Sequence, residues 1–438
     1  MCDTIVACKD AVEDGTVLFG KNSDREPDEA QNIEIVAASD NSASEVQCTH
    51  VRAPLYRRKT CAALLCRPFR MYGAEMGVNE YGVAIGNEAL FTREKPDKTG
   101  LTGMDLLRLA LVQSRTAGEA RDTIIRYLSE FGQGGKAGHR QNIRYMNGYI
   151  IADPDEAYVL ETVKSWWAWK RITGVWSISN IISLRQDFDE CAPGLIENAV
   201  TKGYAKSESN FDFQRCYSDR LYTKFARGRP RAERTRRLLS SKEGGLFEAD
   251  FFQILRDHGD DPEWRPYHRK GGTVCMHATN SLTRPSQTVG SMVASLAKEK
   301  TPVYVTAAAN PCMGAFFPVS FPEGPLPDGY KPGGDSYDPD SYFWQAERIN
   351  RKALAKFEKA RAFVRPLIEE TERETLMQCG PKEGHCGQET VNKRFEAAQK
   401  VRLALEDELA EIQPEKLPFF YRRYWNKYNR KNGVPVKV

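Results

Sequence analysis

Short apolar runs alternate with turn residues along the first ninety positions of the chain. TIVACKD and TVLFGKN are separated by EDG, and a second pair of apolar segments flanks VNEYG. Alternation of apolar and polar residues predicts strands, and short polar or glycine turns between them predict hairpins. The sequence therefore predicts a strand that begins almost at residue 2 and lies beside the strand that ends in GKNSDR.

From Thr102 onwards the apolar positions change to helical spacing. TGMDLLRLALVQSR and TAGEARDTIIRYLSEFG each begin with a threonine suited to N-capping, and Gly132 is expected to end the second helix. Strand-like alternation returns over 147–180, and residues 185–235 are expected to be polar and irregular. The segments TVCMHAT, QTVGSMVASL and PVYVTAAANPC predict three more strands.

Two long segments with helical periodicity and mixed charge follow a proline- and glycine-rich linker near residue 330. They predict a helical hairpin, and a basic, aromatic tail follows it. Two strand sets interleaved with helix pairs indicate an α+β layered body. We expect an α+β domain over 2–345, a helical hairpin over 346–413 and a tail over 414–438.

Composition excludes several classes of protein. The 438 residues include 63 basic and 59 acidic ones, for a formal net charge of +4, so no uniform field indicates a nucleic-acid partner. No apolar run approaches the roughly 18 residues of a membrane helix, and the first residues do not resemble a signal peptide. The chain is therefore expected to be cytoplasmic, with no nucleic-acid partner and no membrane span, while a homo-oligomer stays open.

Eleven cysteines are spread along the chain, an odd number without close paired spacing. This pattern predicts free thiols. Cys61 and Cys66 lie five positions apart, and Cys379 precedes His385 and Cys386, but neither group has the tight C-x-x-C pairs of structural zinc sites. The sequence therefore predicts no metal and no cofactor.

A cysteine and a histidine in CMHA lie at alternate positions of a predicted strand. Cys275 and His277 would then share one face, as a Cys-His protease pair would, and the HGDD segment adds His258 next to carboxylates. A buried, hydrogen-bonded histidine is the commoner explanation of such a pattern. We therefore expect these residues to be structural.

The second residue carries the strongest candidate chemistry. Cys2 has a small side chain, behind which Met1 is expected to be removed, so that the mature chain begins with cysteine. A free α-amine has a pKa of about 7.7–8.0 and a thiol of about 8.5, so the amine can take the thiol proton. The thiolate can then form an acyl-enzyme with an amide substrate. The alternatives are that Cys2 is a chance residue at a frayed end and that GKNSDR is an ordinary polar turn.

Seven motifs occur in a fixed order along the chain: MCDT, FGKNSDR, YGAEMGVNEYGVAIGNEAL, TGMDLLRLAL, FGQGG, TVCMHA and NPCM. In this combination the chain resembles the secernin group of the dipeptidase and secernin cysteine peptidase family, from residue 2 to about 345. That family is similar to bile-salt hydrolases and penicillin V acylases. The resemblance implies the N-terminal nucleophile hydrolase fold, a four-layer αββα sandwich of two antiparallel sheets.

The resemblance also implies roles for single residues. Cys2 matches the nucleophile, Asp24 matches the aspartate that orients its amine, and Lys21 stands where bile-salt hydrolases have an arginine. Asn87 and Asn180 match asparagines that bind the oxyanion. The residues expected to contact substrate are Asn22 and an arginine of FARGRPRAERTRR, either Arg229 or Arg231, with Arg227 and Arg234 left open. Without the resemblance, these asparagines would be strand-end residues that satisfy the backbone, and the arginines a solvated helix start.

Together these observations predict a cysteine-dependent amide hydrolase that acts on a small amide, most simply a dipeptide. Two alternatives remain. One is a non-enzymatic regulator of exocytosis of the secernin type, and the other is an acyltransferase that delivers the acyl group to an amine. The acyl and amine parts of the substrate stay open.

Overall fold

The structure, a computed structural model, describes residues 2–40, 43–268, 272–381 and 386–438. The strands in these ranges are β1 Cys2–Ala7, β2 Val17–Arg25, β3 Gln31–Val36, β4 Glu45–Gln47, β5 Arg52–Pro54, β6 Ala63–Pro68, β7 Met76–Asn79, β8 Ala84–Leu90, β9 Met146–Ala152, β10 Ala157–Val163, β11 Trp166–Ile172, β12 Val175–Ile178, β13 Glu190–Cys191, β14 Gln287–Leu296, β15 Val303–Val305 and β16 Phe317–Val319. 

The helices complete the architecture. They are α1 Gly103–Leu111, α2 Ala117–Phe131, α3 Leu195–Thr201, α4 Phe213–Tyr217, α5 Arg220–Ala226, α6 Gly228–Ser240, α7 Glu248–Leu255, α8 Tyr342–Ala353, α9 Phe357–Cys379, α10 Gln388–Glu411 and α11 Phe419–Asn432. Thr102 caps α1 in a capping box, Thr116 caps α2, and Gly132 ends α2 with a positive φ of 63°. These three predicted helix ends are confirmed.

Among the described residues, two antiparallel sheets form the body. One has the strand order β12-β1-β2-β14-β15-β16, and the other has the order β13-β11-β10-β9-β8-β7-β6-β3. The predicted hairpins β1–β2 and β7–β8 are present, with Cys2 opposite Ser23 in the first. The strands therefore carry the N-terminal residues into the middle of a sheet.

Helices cover the outer face of each sheet. Helices α1 and α2 lie on the larger sheet, α6 and α7 lie on the smaller one, and β1 contacts β8 and β9 across the space between the sheets. Separate apolar clusters fill the three interfaces, for example Val6 and Phe19 between the sheets and Ile5 against Phe251 of α7. This is the predicted α+β arrangement, a four-layer αββα sandwich, which is thereby confirmed.

Alternate residues of the N-terminal hairpin face opposite layers. Val6 and Phe19 belong to the cluster between the sheets, and Ile5 and Leu18 belong to the cluster under α6 and α7. By the period of two, Cys2 and Lys21 face the space between the sheets. Asn22 faces the helices.

Three expectations from the sequence are wrong. The stretch 185–235 is helical in large part and contains α3, α4, α5 and the start of α6. TVCMHAT is not a strand, because its backbone bonds to scattered partners, Asp257, Arg284 and Thr288, and forms no continuous ladder with one neighbouring strand. Cys379 and Cys386 form a disulfide, so these two thiols are not free.

The C-terminal helices share the core of the body. Helices α9 and α10 form the predicted hairpin, and Phe395 and Leu405 of α10 belong to the cluster that also holds β16. The tail contains α11, whose Trp425 is 2% exposed. Tertiary packing thus continues across the predicted boundaries, which stay a prediction. Among the helices that the structure describes, none is long and apolar enough to cross a membrane.

Candidate active site

Cys2 lies at the first described position of β1 and is only 5% exposed. Its thiol can donate to Glu75 Oε2 at 3.6 Å, and the backbone N–H of Asp24 donates to its sulfur at 3.4 Å. The antiparallel register of β1 and β2 creates the second contact, because it places Asp24 next to the partner of Cys2. The sulfur is therefore held in one position.

A group of buried ions surrounds the thiol. Lys21 Nζ lies 3.3 Å from Glu88 Oε1 and 3.9 Å from Glu75 Oε2, and Arg25 Nη1 lies 3.0 Å from Glu75 Oε1. Gly86 makes room for Lys21, since a Cβ there would come within 2.5 Å of the lysine Cδ. Strand β8 thus accommodates a cation beside the sulfur.

These charges control protonation at the site. Burial raises the pKa of the Cys2 thiol to about 12, and the positive charge of Lys21 opposes that rise. Burial acts against the Lys21 ammonium, but Cys2 and Glu88 raise its pKa above the usual value. Burial also raises the pKa of Glu88 to about 7, although Lys21 lowers it. Lys21 therefore stays charged, and the thiol stays protonated until a base removes its proton.

The main-chain nitrogen of Cys2 lies on the other side of the residue. It donates to Asn180 Oδ1 at 2.8 Å, and Arg231 Nη2 donates to the same oxygen at 2.7 Å. Arg231 Nη1 donates to the Cys2 carbonyl at 3.0 Å and pairs closely with Asp3. Arg231 is 1% exposed. Asn180 and Arg231 therefore fix both backbone atoms of the candidate nucleophile.

Asp24 approaches the same region from β2. Thr288 Oγ1 donates to its Oδ1 at 2.7 Å, and Arg231 Nη1 lies 3.9 Å from its Oδ2. Burial raises the pKa of Asp24 to about 7, while the positive charge of Arg231 lowers it. Asp24 is therefore a carboxyl group that changes its charge near neutral pH.

The remaining predicted site residues are bonded to other parts of the protein, and Asn180 has a second contact of this kind. Asn87 Nδ2 donates to Asn147 Oδ1 at 2.9 Å, and Asn180 Nδ2 donates to the Ala89 carbonyl at 2.9 Å. Asn22 is fully buried and bonded within the protein through Leu255 and Val274. Arg229 is exposed and donates to Gln214, so Arg231 is the arginine of its segment that reaches Cys2. The catalytic roles of all of them stay predictions.

Sequence reasoning missed three of the side chains around the thiol. Glu75 and Glu88 lie in the segment YGAEMGVNEYGVAIGNEAL, and Arg25 ends GKNSDR. A signal was available, since charged residues inside apolar strand segments are rarely buried unless they are paired. Thr288, which bonds to Asp24, carried no comparable signal.

No protein-family model matches the chain. Solved structures with similarity to it include penicillin V acylase from Agrobacterium tumefaciens, with 12% identity, 74% of this chain and 87% of that chain covered, and a TM-score of 0.41. A mutant of conjugated bile acid hydrolase from Clostridium perfringens has 13% identity, coverage of 77% and 97%, and a TM-score of 0.44. The N-acylethanolamine-hydrolyzing acid amidase ortholog of Caenorhabditis elegans has 11% identity, coverage of 67% and 92%, and a TM-score of 0.35.

Proposed function

We propose that this chain is a cysteine-dependent amide hydrolase in which Cys2 is the nucleophile and its own α-amine, exposed by removal of Met1, is the base. The observation that carries the proposal is the arrangement at Cys2. Its sulfur lies among Lys21 and Glu75, and its main-chain nitrogen bonds to Asn180 at 2.8 Å. Nucleophile and base then occupy one rigid residue.

The proposed reaction begins with proton transfer from the thiol to the amine. The sulfur attacks the amide carbon, and the ammonium returns the proton to the leaving amine as the C–N bond breaks. Water then attacks the thioester, the amine accepts a proton from that water, and the acid product leaves with the thiol restored. Lys21 favours the thiolate by its charge, and Asp24 and Asn180 keep the amine in place.

Developing charge on the substrate oxygen requires donors. Asn87 and Asn180 each use one amide hydrogen, toward Asn147 and the Ala89 carbonyl, and each amide nitrogen has a second hydrogen. We assign the oxyanion to Asn180, because it also contacts the nucleophile residue. Loss of such a donor typically costs about 3–4 kcal/mol of transition-state stabilisation.

A dipeptide is the substrate class that we propose. An N-terminal residue bound as a thioester on Cys2 carries its ammonium close to the sulfur, where Glu75 Oε2 lies 3.6 Å away. A carboxylate there can accept a hydrogen bond from that ammonium. The resemblance to the dipeptidase and secernin family agrees with this choice.

Mass spectrometry of the intact protein tests the nucleophile. Incubation with an activated acyl ester should add one acyl group to chains that lack Met1, and peptide mapping should place the group on Cys2. Cys2→Ala should take up none at this peptide. Turnover by chains that retain Met1 would contradict the proposal, because the base would then be blocked.

The dipeptide assignment has a separate test. Free dipeptides should be cleaved much faster than the same dipeptides with an acetylated amine, and Glu75→Gln should reduce that preference. Equal cleavage of both forms would exclude the dipeptidase while leaving an amide hydrolase.

One observation favours the non-enzymatic alternative. Cys2 is only 5% exposed and burial raises its thiol pKa to about 12, which suits a structural cysteine as well. A regulator of the secernin type would show no turnover and no acylation of Cys2.

An acyltransferase would instead form more amide product than acid when an amine is added. The cytoplasmic location that the sequence predicts is part of the proposed function, whichever of these activities the protein has.

A further inference from the structure

Four metal-binding side chains meet in the interior, outside the residues that surround Cys2. His258, Cys275, His277 and Cys312 are all buried, and their ligand atoms lie within 4.8 Å of one another. His258 follows α7, and Cys275 and His277 precede β14. Cys312 lies in the single-turn 3₁₀ helix Pro311–Met313 after β15. We call these four residues the His277 cluster.

Three of the six distances between ligand atoms of the His277 cluster fit one tetrahedral ion, and all six lie within 4.8 Å. His277 Nε2 lies 3.2 Å from His258 Nε2 and 3.5 Å from both the Cys275 and the Cys312 sulfur. Zinc bonds of about 2.05 Å to nitrogen and about 2.3 Å to sulfur give tetrahedral edges of about 3.3 Å between nitrogens and about 3.6 Å between nitrogen and sulfur. The three distances from His277 Nε2 therefore match the tetrahedral edges of a Cys₂His₂ zinc site within about 0.1 Å.

Hydrogen bonding to His277 Nε2 does not account for all three of its contacts. The neutral ring of His277 has a single lone pair on Nε2, and three groups that can donate a proton converge on it: His258 and the two thiols. Only one of these three donors at a time can form a well-directed hydrogen bond with that lone pair. A cation at the centre would instead use the lone pairs of all four atoms.

We propose that the His277 cluster binds one Zn²⁺ as a structural site. Four protein ligands complete a tetrahedron and leave no open position for a substrate, which is typical of structural zinc. The ion would tie the segment after α7 and the turn at Cys312 to the segment that holds Cys275 and His277. The wide spacing of these ligands explains why the sequence predicted no metal.

One contact must change when the ion binds. Arg361 Nη1 donates to His258 Nδ1 at 2.9 Å, whereas a ring that binds zinc through Nε2 carries its proton on Nδ1. The Arg361 side chain is partly exposed, and its Nη2 lies 3.7 Å from Oε2 of Glu358, one turn away on α9. Arg361 can therefore turn outward, and Arg361→Gln should bind zinc at least as well as the wild-type protein.

The experiment measures the metal content of the full chain purified after growth with added zinc. We expect about one zinc per chain in the wild-type protein, in Cys2→Ala and in the buried-thiol control Cys66→Ala. Cys312→Ala and His277→Ala should hold at least about tenfold less. Because Cys2→Ala separates the two sites, failure here would leave the proposed hydrolase untouched.

A second measurement covers the case in which the ligand variants do not fold. Chelation should lower the Tm of the wild-type protein, and added Zn²⁺ should restore it. Co²⁺ in place of zinc should give the visible bands of a tetrahedral thiolate site. A wild-type chain without zinc and without these bands, equal zinc in Cys312→Ala, or a disulfide between Cys275 and Cys312 would each overturn the proposal.

Discussion

The Cys2 site and the His277 cluster both contain buried thiols, but their surroundings differ. Cys2 lies next to the buried ions Lys21 and Glu75, and its backbone is fixed by Arg231. Cys275 and Cys312 lie instead against the imidazole of His277. A thiol beside a buried cation and its own main-chain nitrogen is suited to attack a carbonyl, and two thiols that meet two imidazoles are suited to hold a metal. The neighbours, and not burial, distinguish the two kinds of cysteine.

The two regions are also connected. Asn22 follows Lys21 on β2, and its Nδ2 donates to the carbonyls of Leu255 and Val274. Leu255 lies three positions before His258, and Val274 directly precedes Cys275. Thr288 bonds to Asp24 and to the backbone of Met276. A change at one site can therefore reach the other through β2 and β14.

The largest expected effect is the loss of amidase activity when Cys2 is replaced, and it distinguishes Cys2 from the thiols of the His277 cluster. Cys2→Ala should lower the amidase kcat by more than about 1,000-fold, because no other group replaces the nucleophile, while zinc content stays unchanged. Cys275→Ala should lose zinc and keep the acylation of Cys2 wherever the protein folds. Amidase assays and metal analysis of the same preparations measure both. Loss of zinc in Cys2→Ala would remove the distinction.

Arg231→Met should lower the free energy of unfolding by about 3–5 kcal/mol, since it leaves the Asp3 carboxylate buried without its cation. Urea denaturation measures the change. The control is Arg229→Met, whose side chain is exposed and bonds to Gln214, so that its effect should stay within about 0.5 kcal/mol. Similar losses in both variants would show that Arg231 does not hold the N-terminal strand.

Asn22→Ala should lower the free energy of unfolding by about 1–3 kcal/mol, because two buried carbonyls and the Ser291 hydroxyl lose their partner. It should also speed the release of zinc to a chelator. Asn210→Ala on the surface is the matched control for stability. Unchanged zinc release in Asn22→Ala would show that the two regions are independent.

The pH dependence should differ between stability and activity. Burial raises the pKa of Asp24 and of Glu88 from their usual values to about 7, so between about pH 4 and 7 these two groups bind more protons in the folded chain than in the unfolded chain. Their contribution to the free energy of unfolding should therefore fall as the pH rises through this window, by at most about 1.4 kcal/mol per pH unit for each group. Denaturation at several pH values measures this slope, and Asp24→Asn should reduce it.

Activity should change in the opposite direction. If ionised Asp24 holds the amine, its titration should contribute to a rise of kcat/KM through about pH 7. Asp24→Asn should leave only the rise that comes from deprotonation of the α-amine, at about pH 8. The pH profile of cleavage measures both, and an unchanged profile in Asp24→Asn would assign the titration near pH 7 to another group.

Hairpins and helix ends were predictable because their signals are local. The alternation of TIVACKD and TVLFGKN gave β1 and β2, and Thr102 and Gly132 marked helix ends by their own backbone preferences. TVCMHAT has the same apolar alternation and is not a strand. The pattern reports which residues are buried, but a strand also needs a neighbour for its backbone.

The sequence by itself determined the candidate nucleophile, its strand and the nearby Asp24, since position 2 and the hairpin pattern of β1 and β2 lie within the first 25 residues. Only the tertiary structure decided which charges surround the thiol and which arginine reaches the Cys2 carbonyl. Glu75, Glu88 and Arg231 come from distant segments. The same holds for the His277 cluster, whose ligands span residues 258–312. Contacts between distant segments depend on how whole layers pack, and no local pattern of residues encodes that packing.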